Sequence, residues 1–385
     1  MVAVTPARIV GLGVIALVAV LVGPAPAMAQ VDTDRIVVDP GGDGDYRTIG
    51  AALDNATDGD TVLIRGGTYT AHLEVNDSVR LRADGSVTLR GDFIGAAITI
   101  APDAAPTISG IDIERYRVGI DARGTTTDWS AIGISTRLVK VGVDATRSTG
   151  AWQVGGARLT AAATGVTADH STGNWTVETS VIRADWAITA RGSEGAWTVT
   201  ETSLHCDGGI VARQSTGTWR VSNVTIASGG GVAIDAQATS GDWQISHLEV
   251  RWATIALDAD HSTGDWTVRN ATFGAIAYAN DRAALIHAKN TSGAWQITDS
   301  AFLDPHGYGI DATNASGGDA RGNWWGGPLG ASADQCVGTV DCSAPQRLPP
   351  GGIDRIWLAA IGGVFAAIVL VIWRVRRWIH SRRLV

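Results

Sequence analysis

Acidic side chains recur at equivalent places in a repeated segment of the sequence, and they are its main candidates for chemistry. An aliphatic-x-Ala pattern occurs nine times, and its central residue is an aspartate in five copies. The pattern alternates with period two, as strands do, so we expect the central side chains to point away from the aliphatic face. These central residues are Asp121, Asp144, Thr167, Thr189, Val211, Asp235, Asp258, His287 and Asp311.

Stacking of the copies in register would make Asp235 and Asp258 neighbours, with Asp260 beside them. Like charges on adjacent strands repel unless something compensates them. Ca²⁺ binds six to eight oxygen ligands, so these three aspartates are the candidate metal ligands. Compensation by Lys289, by Arg251 or by solvent and salt is the alternative, and no other cofactor is indicated.

The same patch contains the candidate catalytic residues Asp235, Asp258, Asp260, His287 and Lys289. With Ca²⁺ and a cationic side chain as base, the patch would suit β-elimination of a polysaccharide. Paired carboxylates would instead suit glycoside hydrolysis. The sequence does not decide between them.

Two further segments contribute candidates. An enlarged repeat predicts a loop around residues 278–282, where Tyr278 and Arg282 join Asp311 as candidate ligand-binding residues, because loops on rigid scaffolds concentrate function. The triplet Asp304-Pro305-His306 is similar to a motif of uronan epimerases, which makes Asp304 and His306 catalytic candidates. No matching constellation surrounds the triplet in the sequence.

A tryptophan repeat predicts the scaffold that positions these residues. Successive tryptophans are 23, 22, 22, 24, 23 and 29 residues apart, each with a glycine two residues before it and Val or Ile two residues after it. Self-similarity at this period indicates a solenoid with two or three short strands per coil. Polar residues separate each tryptophan from its aliphatic partner, so we expect the rings to face the interior. The tryptophans are Trp152, Trp175, Trp197, Trp219, Trp243, Trp266 and Trp295.

The opening segment Ile36 to Tyr69, with its GDY-x-TI sequence and its DGD-T turn, resembles pectin-lyase-like right-handed parallel β-helix proteins. The GNWWGG sequence after Arg321 is similar to closing coils of that superfamily. The resemblance implies an all-β right-handed parallel β-helix over roughly residues 36–345, capped by a short helix within Tyr46–Ala56. The superfamily includes lyases, esterases, hydrolases, epimerases and members without known chemistry, so the resemblance does not specify an activity.

Apolar runs at both ends predict export and tethering. Residues 1–29 resemble a secretory signal peptide. The solenoid domain is expected over 30–344, a Pro/Gly linker over 345–352, a transmembrane helix over 353–373 and a basic tail over 374–385. The arginines after the apolar run place the tail in the cytoplasm and the solenoid outside it, in a single-pass topology.

The predicted exported domain favours some partners and excludes others. Residues 30–353 carry 23 Lys and Arg against 37 Asp and Glu, a net charge of −14, which argues against nucleic acid. Cys336 and Cys342 are close enough in sequence to form a disulfide in an oxidising compartment. Asparagine glycosylation is expected at some of seven sequons, at Asn55, Asn76, Asn174, Asn223, Asn270, Asn290 and Asn314.

These features predict a membrane-anchored surface protein that binds carbohydrate or envelope components, or has a structural role, without catalysis. The alternative is a carbohydrate-active enzyme, a lyase or epimerase before a hydrolase, that acts at the outward acidic face. A third hypothesis is lateral self-association through the regular sides of the solenoid. Binding predicts uniform columns along the solenoid, whereas catalysis predicts local breaks in them.

Overall fold

The structure is a computed structural model, and it describes residues 35–275, 284–303, 309–332 and 335–350. The described chain is almost entirely β, with one short helix, α1 (Ile49–Leu53). Its strands are β1 (Arg35–Val38), β2 (Thr61–Tyr69), β3 (Leu73–Val75), β4 (Arg80–Arg90), β5 (Ala96–Ile100), β6 (Thr107–Glu114), β7 (Val118–Asp121), β8 (Trp129–Ile132), β9 (Ser135–Asp144), β10 (Trp152–Gly155), β11 (Arg158–Thr167), β12 (Trp175–Glu178), β13 (Val181–Thr189), β14 (Trp197–Thr200), β15 (Ser203–Val211), β16 (Trp219–Ser228), β17 (Val232–Asp235), β18 (Trp243–Ala253), β19 (Ile255–Asp258), β20 (Trp266–Arg269), β21 (Thr272–Ala275), β22 (Ile286–His287), β23 (Trp295–Thr298), β24 (Ala301–Phe302), β25 (Ile310–Ala312), β26 (Gly318–Asp319), β27 (Cys336–Gly338) and β28 (Val340–Asp341).

All the strands pair in parallel, coil upon coil, which makes the chain a parallel β-solenoid and confirms the predicted architecture. Three columns of paired strands run along it. The first column contains the strands that begin with the tryptophans. The second contains the strands with a large apolar residue seven positions after each tryptophan, and the third contains the aliphatic-x-Ala strands. We name the outer sides of these columns the tryptophan face, the arginine face and the aspartate face.

The tryptophans form one interior stack. Trp152 pairs with Trp175 in register, and the same pairing continues to Trp295. Neighbouring rings lie 4.7–5.4 Å apart between centroids, at interplanar angles of 3–7°. Each of these side chains is only 1–4% exposed, so the predicted interior orientation is confirmed. The stack also includes Trp129, one coil before the first tryptophan that the sequence repeat identified.

The glycine two residues before each tryptophan is required by the close approach of adjacent coils. A Cβ placed on Gly217 would overlap the backbone carbonyl oxygen of Gly195, and the same overlap recurs along the column. These glycines do not have positive φ, so the requirement is steric and does not come from an unusual backbone conformation.

Both ends of the described solenoid are covered. At the N-terminal end, α1 buries Ile49, Ala52 and Leu53, and the Thr48 hydroxyl caps it by accepting a hydrogen bond from the backbone N–H of Ala51. At the C-terminal end, the buried Trp325 ring stacks on Phe302 with centroids 4.2 Å apart. Cys336 and Cys342 form a disulfide with their Cα atoms 6.6 Å apart.

The predicted signal peptide and transmembrane helix lie outside the described residues. Within the described residues, no helix is both long and apolar enough to cross a membrane. The loop predicted around residues 278–282 and the triplet Asp304-Pro305-His306 also lie outside them.

The glycine column predicts that Gly217→Ala destabilises the solenoid by about 1–3 kcal/mol, because the added methyl group must push two coils apart. The matched control is Gly50→Ala in α1, where a new Cβ contacts nothing and alanine is favoured in a helix by about 0.5–1 kcal/mol. Denaturant midpoints measured by far-ultraviolet circular dichroism test both variants. Equal midpoints for the two would contradict the steric explanation.

Candidate functional site

The aspartate column has the register that the sequence predicts, but its central part is not exposed. Asp235 pairs with Asp258, Asp258 with His287, and His287 with Asp311. Asp235 is only 3% exposed and Asp258 only 4%. These two side chains therefore do not form the exposed acidic face that was expected, because Arg213 and Gln237 reach over them from the preceding coil.

Arg213 is the residue that covers Asp235. Its Nε donates a hydrogen bond of 2.5 Å to Asp235 Oδ2 from the preceding coil. Burial raises the pKa of Asp235, and the Arg213 charge opposes that shift. The sequence offered Arg251 as the compensating cation, but Arg251 Nε donates instead to Glu249 at 2.7 Å on the arginine face.

Asp258, Asp260 and His287 lie together one coil further on. Each offers one ligand atom, and these atoms are within 4.8 Å of one another. Gln237 Nε2 donates to Asp258 Oδ2 at 2.5 Å, and the Lys289 backbone N–H donates to Asp260 Oδ1 at 2.7 Å. Burial raises the pKa of Asp260, and the neighbouring Asp258 carboxylate raises it further.

The donor set of this cluster does not match the predicted calcium site. Asp235 is held by Arg213, so the three aspartates predicted as ligands are not the three groups that lie together. Ca²⁺ prefers six to eight oxygen ligands, whereas this cluster offers two carboxylates and an imidazole. Such a mixed set is closer to the ligands of Zn²⁺ and other transition metals.

The remaining sequence candidates are distributed around the cluster. The Lys289 ammonium lies 3.4 Å from Asp311 Oδ2 in an ion pair on the next coil, so it compensates Asp311 directly. Tyr278, Arg282, Asp304 and His306 lie outside the described residues. The seven sequon asparagines are all exposed, and their glycosylation remains a prediction.

A groove that the sequence did not predict runs along the tryptophan face. Its volume is about 1140 Å³, and it extends over eight consecutive tryptophan coils and the edge of the coil before them. The buried tryptophans form its floor, and the residues immediately before and after each one form its sides. The side residues are Asp128, Ser130, Ala151, Gln153, Asn174, Thr176, Ala196, Thr198, Thr218, Arg220, Asp242, Gln244, Asp265, Thr267, Ala294 and Gln296.

The two sides of the groove differ in their hydrogen bonding. On the side before the tryptophans, acceptors are partly used by the next coil, as where Asp242 Oδ1 accepts from the Asp265 backbone N–H at 2.9 Å. On the other side stand hydroxyl and amide groups such as Thr176, Thr198 and Thr267. The side after the tryptophans thus presents neutral polar groups one coil apart, except for Arg220. The polar residue after each tryptophan is the feature of the sequence that could have predicted the groove, because its side chain lines it.

Comparison with known proteins gives only distant likeness. No protein-family model matches the sequence, and no curated protein does. Among solved structures, an alginate lyase from Paenibacillus sp. str. FPU-7 is 14% identical with a TM-score of 0.39, over 77% of this chain and 95% of that one. Pectate lyase Pel9A is 14% identical with a TM-score of 0.45, over 79% of this chain and 83% of that one.

The cluster predicts that Asp260→Asn raises the melting temperature at pH 7 in EDTA, because it removes a partly buried charge next to Asp258. The folded-state pKa of Asp260 lies above its ordinary value, so protonation favours the folded state. The advantage of the variant is therefore greatest above that folded-state pKa and disappears as the pH falls toward the ordinary value.

Melting curves between pH 4 and pH 8 test this expectation, with and without ZnCl₂. A metal bound by the cluster reverses the order, since the wild-type protein then gains stability that Asp260→Asn lacks. A variant less stable than wild type in EDTA at every pH contradicts the repulsion argument.

Proposed function

We propose that this protein binds an extended carbohydrate chain in the groove of the tryptophan face, without catalysing a reaction on it. The observation that carries the proposal is the length of the groove together with its repeating hydroxyl and amide side chains. A linear polysaccharide presents equivalent hydroxyl groups at regular intervals, and a surface that repeats once per coil can contact many of them.

The character of the groove supports binding more than chemistry. Among its described lining residues there is neither a histidine nor a lysine, so it offers no ordinary general base beyond the carboxylates of Asp128, Asp242 and Asp265. All three carboxylates already accept a hydrogen bond from a backbone N–H of the next coil, at Ala151, Asp265 and Ala294 respectively.

The proposal includes the cellular setting expected from the sequence. The solenoid is held outside the cytoplasm by a single transmembrane helix over residues 353–373, with the basic tail inside. In that setting the long groove is presented to envelope or extracellular polysaccharide. Neutral and weakly charged chains suit the groove, because its sides combine three aspartates and one arginine with many neutral polar groups.

Blocking the groove tests the proposal. Thr198→Arg places a long side chain in the middle of it, and we expect retention by the bound polysaccharide to fall at least about tenfold, or about 1.4 kcal/mol. The matched control is Thr179→Arg, at an exposed position outside the groove. Affinity electrophoresis of the detergent-solubilised protein in xylan, galactomannan and polygalacturonate gels provides the measurement. Equal retardation of the two variants, or no retardation of wild type in any gel, contradicts the proposal.

A second candidate function is favoured by the cluster of Asp258, Asp260 and His287. Two carboxylates and an imidazole in a partly buried site, one of them with a raised pKa, are groups that could transfer protons to or from a sugar. The protein would then be a carbohydrate-active enzyme of lyase or epimerase type acting on the aspartate face.

This alternative predicts an activity that depends on the cluster. If uronate polymers are cleaved by elimination, the unsaturated product absorbs in the ultraviolet, and Asp258→Asn should reduce its formation by about 100-fold or more. Asp121→Asn is the matched control, because it changes the same column several coils away. An equal rate for both variants excludes the cluster, and a wild-type protein without activity on alginate and polygalacturonate excludes this chemistry.

A further inference from the structure

The arginine face differs in charge from the rest of this acidic protein. Between β4 and β18, the two outward positions of its strands contain more arginines than carboxylates. The arginines are Arg90, Arg137, Arg158, Arg183 and Arg251, and the carboxylates are Asp112, Glu114 and Glu249. The next outward residues on the same strands add the exposed Lys140, Asp185 and Asp207, which gives six cations against five carboxylates. Over residues 30–353 the chain carries a net charge of −14, so even this near balance is a local exception.

The arginines follow the coils at a regular interval. Arg90 pairs with Glu114, and Glu114 with Arg137 on the next coil. Thr136 pairs with Leu159, so the residues that follow them, Arg137 and Thr160, lie side by side on adjacent coils. Thr160 in turn pairs with Arg183 on the next coil. One outward column therefore places an arginine on every second coil, about 9.6 Å apart at the usual spacing of paired strands. Arg251 lies three coils beyond Arg183, after His205 and Ala227.

One intervening residue, Glu114, pairs with two arginines of this column without burying them. Glu114 is almost fully buried and lies between Arg90 and Arg137, with which it forms two ion pairs. Burial alone would raise the pKa of Glu114, but the two arginines lower it, so it stays ionised as a fixed bridge between them. The side chains of Arg90 and Arg137 nevertheless remain 50% and 67% exposed.

His205 lies on this face, and its pKa is lowered partly by the charges of nearby arginines. His205 lies between the positions of Arg183 and Arg251, with the small Ala227 on the coil that separates it from Arg251. Burial lowers the pKa of His205, and the charges of Arg183 and Arg251 lower it further. An anion bound between these side chains would offset the two guanidinium charges.

Beside this column, an aromatic ring lies flat against the surface. Trp186 follows Arg183 on β13 and is 41% exposed. A Cβ on Gly208, its partner on the next coil, would fall among the atoms of the Trp186 ring, so the ring covers that glycine. The Arg191 guanidinium lies over the ring, 5.9 Å from its centroid. A partly exposed indole ring beside guanidinium groups suits a sugar ring that carries an acidic group.

We propose that the arginine face is a second binding site, separate from the groove, for a linear polysaccharide that carries one carboxylate on every second sugar. The chain runs along the solenoid axis, its carboxylates meet Arg137 and Arg183, and one sugar ring stacks on Trp186. The spacing of the arginines and the partly exposed indole ring beside them together specify this ligand class.

Hyaluronan, with one carboxylate per disaccharide, is the probe. We expect the full-length protein in detergent micelles to bind immobilised hyaluronan, and to bind it more tightly than polygalacturonate of equal chain length, which carries a carboxylate on every sugar. Arg183→Gln and Trp186→Ala should each weaken binding about tenfold, as expected for loss of one charge-assisted or stacking contact. Arg269→Gln, the same charge change on the tryptophan face, should leave it unchanged.

Binding of hyaluronan should also raise the pKa of His205, followed by NMR of its imidazole, and Arg183→Gln should raise that pKa without ligand. Equal affinities of Arg183→Gln and Arg269→Gln overturn the proposal. Tighter binding of polygalacturonate, or retention of dextran sulfate alone, also overturns it, since either result means attraction to any dense polyanion. The groove proposal is unaffected by such failure, because Thr198→Arg tests it on a different column with other polysaccharides.

Discussion

The spacing of hydrogen-bonded parallel strands constrains almost every feature of this molecule. Coils repeat at the inter-strand distance of about 4.8 Å, and only groups that tolerate that spacing can occupy a continuous column. Flat indole rings do so, and their centroids lie 4.7–4.8 Å apart in the central coils. Glycine does so where the backbones of two coils meet without room for a methyl group. Identical carboxylates do not, unless a cation or a hydrogen-bond donor comes between them.

The three faces show different solutions to the same constraint. On the aspartate face, Arg213 and Gln237 reach across to the carboxylates of the next coil and bury them. On the arginine face, a single buried glutamate holds two arginines. On the tryptophan face, side chains also bond across coils, as Gln153 does to Glu178, but most of them are neutral amides and hydroxyls, and there the surface remains open as a groove. The charge of the side chains in each column thus separates the faces where side chains cover one another from the face that stays open as a groove.

The sequence predicted the features that depend on spacing and missed those that depend on side-chain reach. The solenoid, the interior tryptophans and the pairing of Asp235 with Asp258 follow from period and alternation alone. The sequence repeat did not identify the coil of Trp129, because Thr127 and Ala131 stand where the other coils have glycine and an aliphatic residue. The cover over Asp235 could not be predicted, since it depends on the direction in which a long arginine side chain folds. For the same reason, His287 and not Asp235 completes the cluster with Asp258 and Asp260.

Because the tryptophan coils stack on one another in the same way, the solenoid can change in length without a change at its ends. Every coil from Trp152 to Trp295 offers the same ring and the same glycine contact to its neighbours, and two side chains to the groove. Duplication or loss of one unit therefore preserves the interfaces between coils while it changes the length of the groove. Selection can therefore change the length of such a protein by whole coils while its caps stay unchanged.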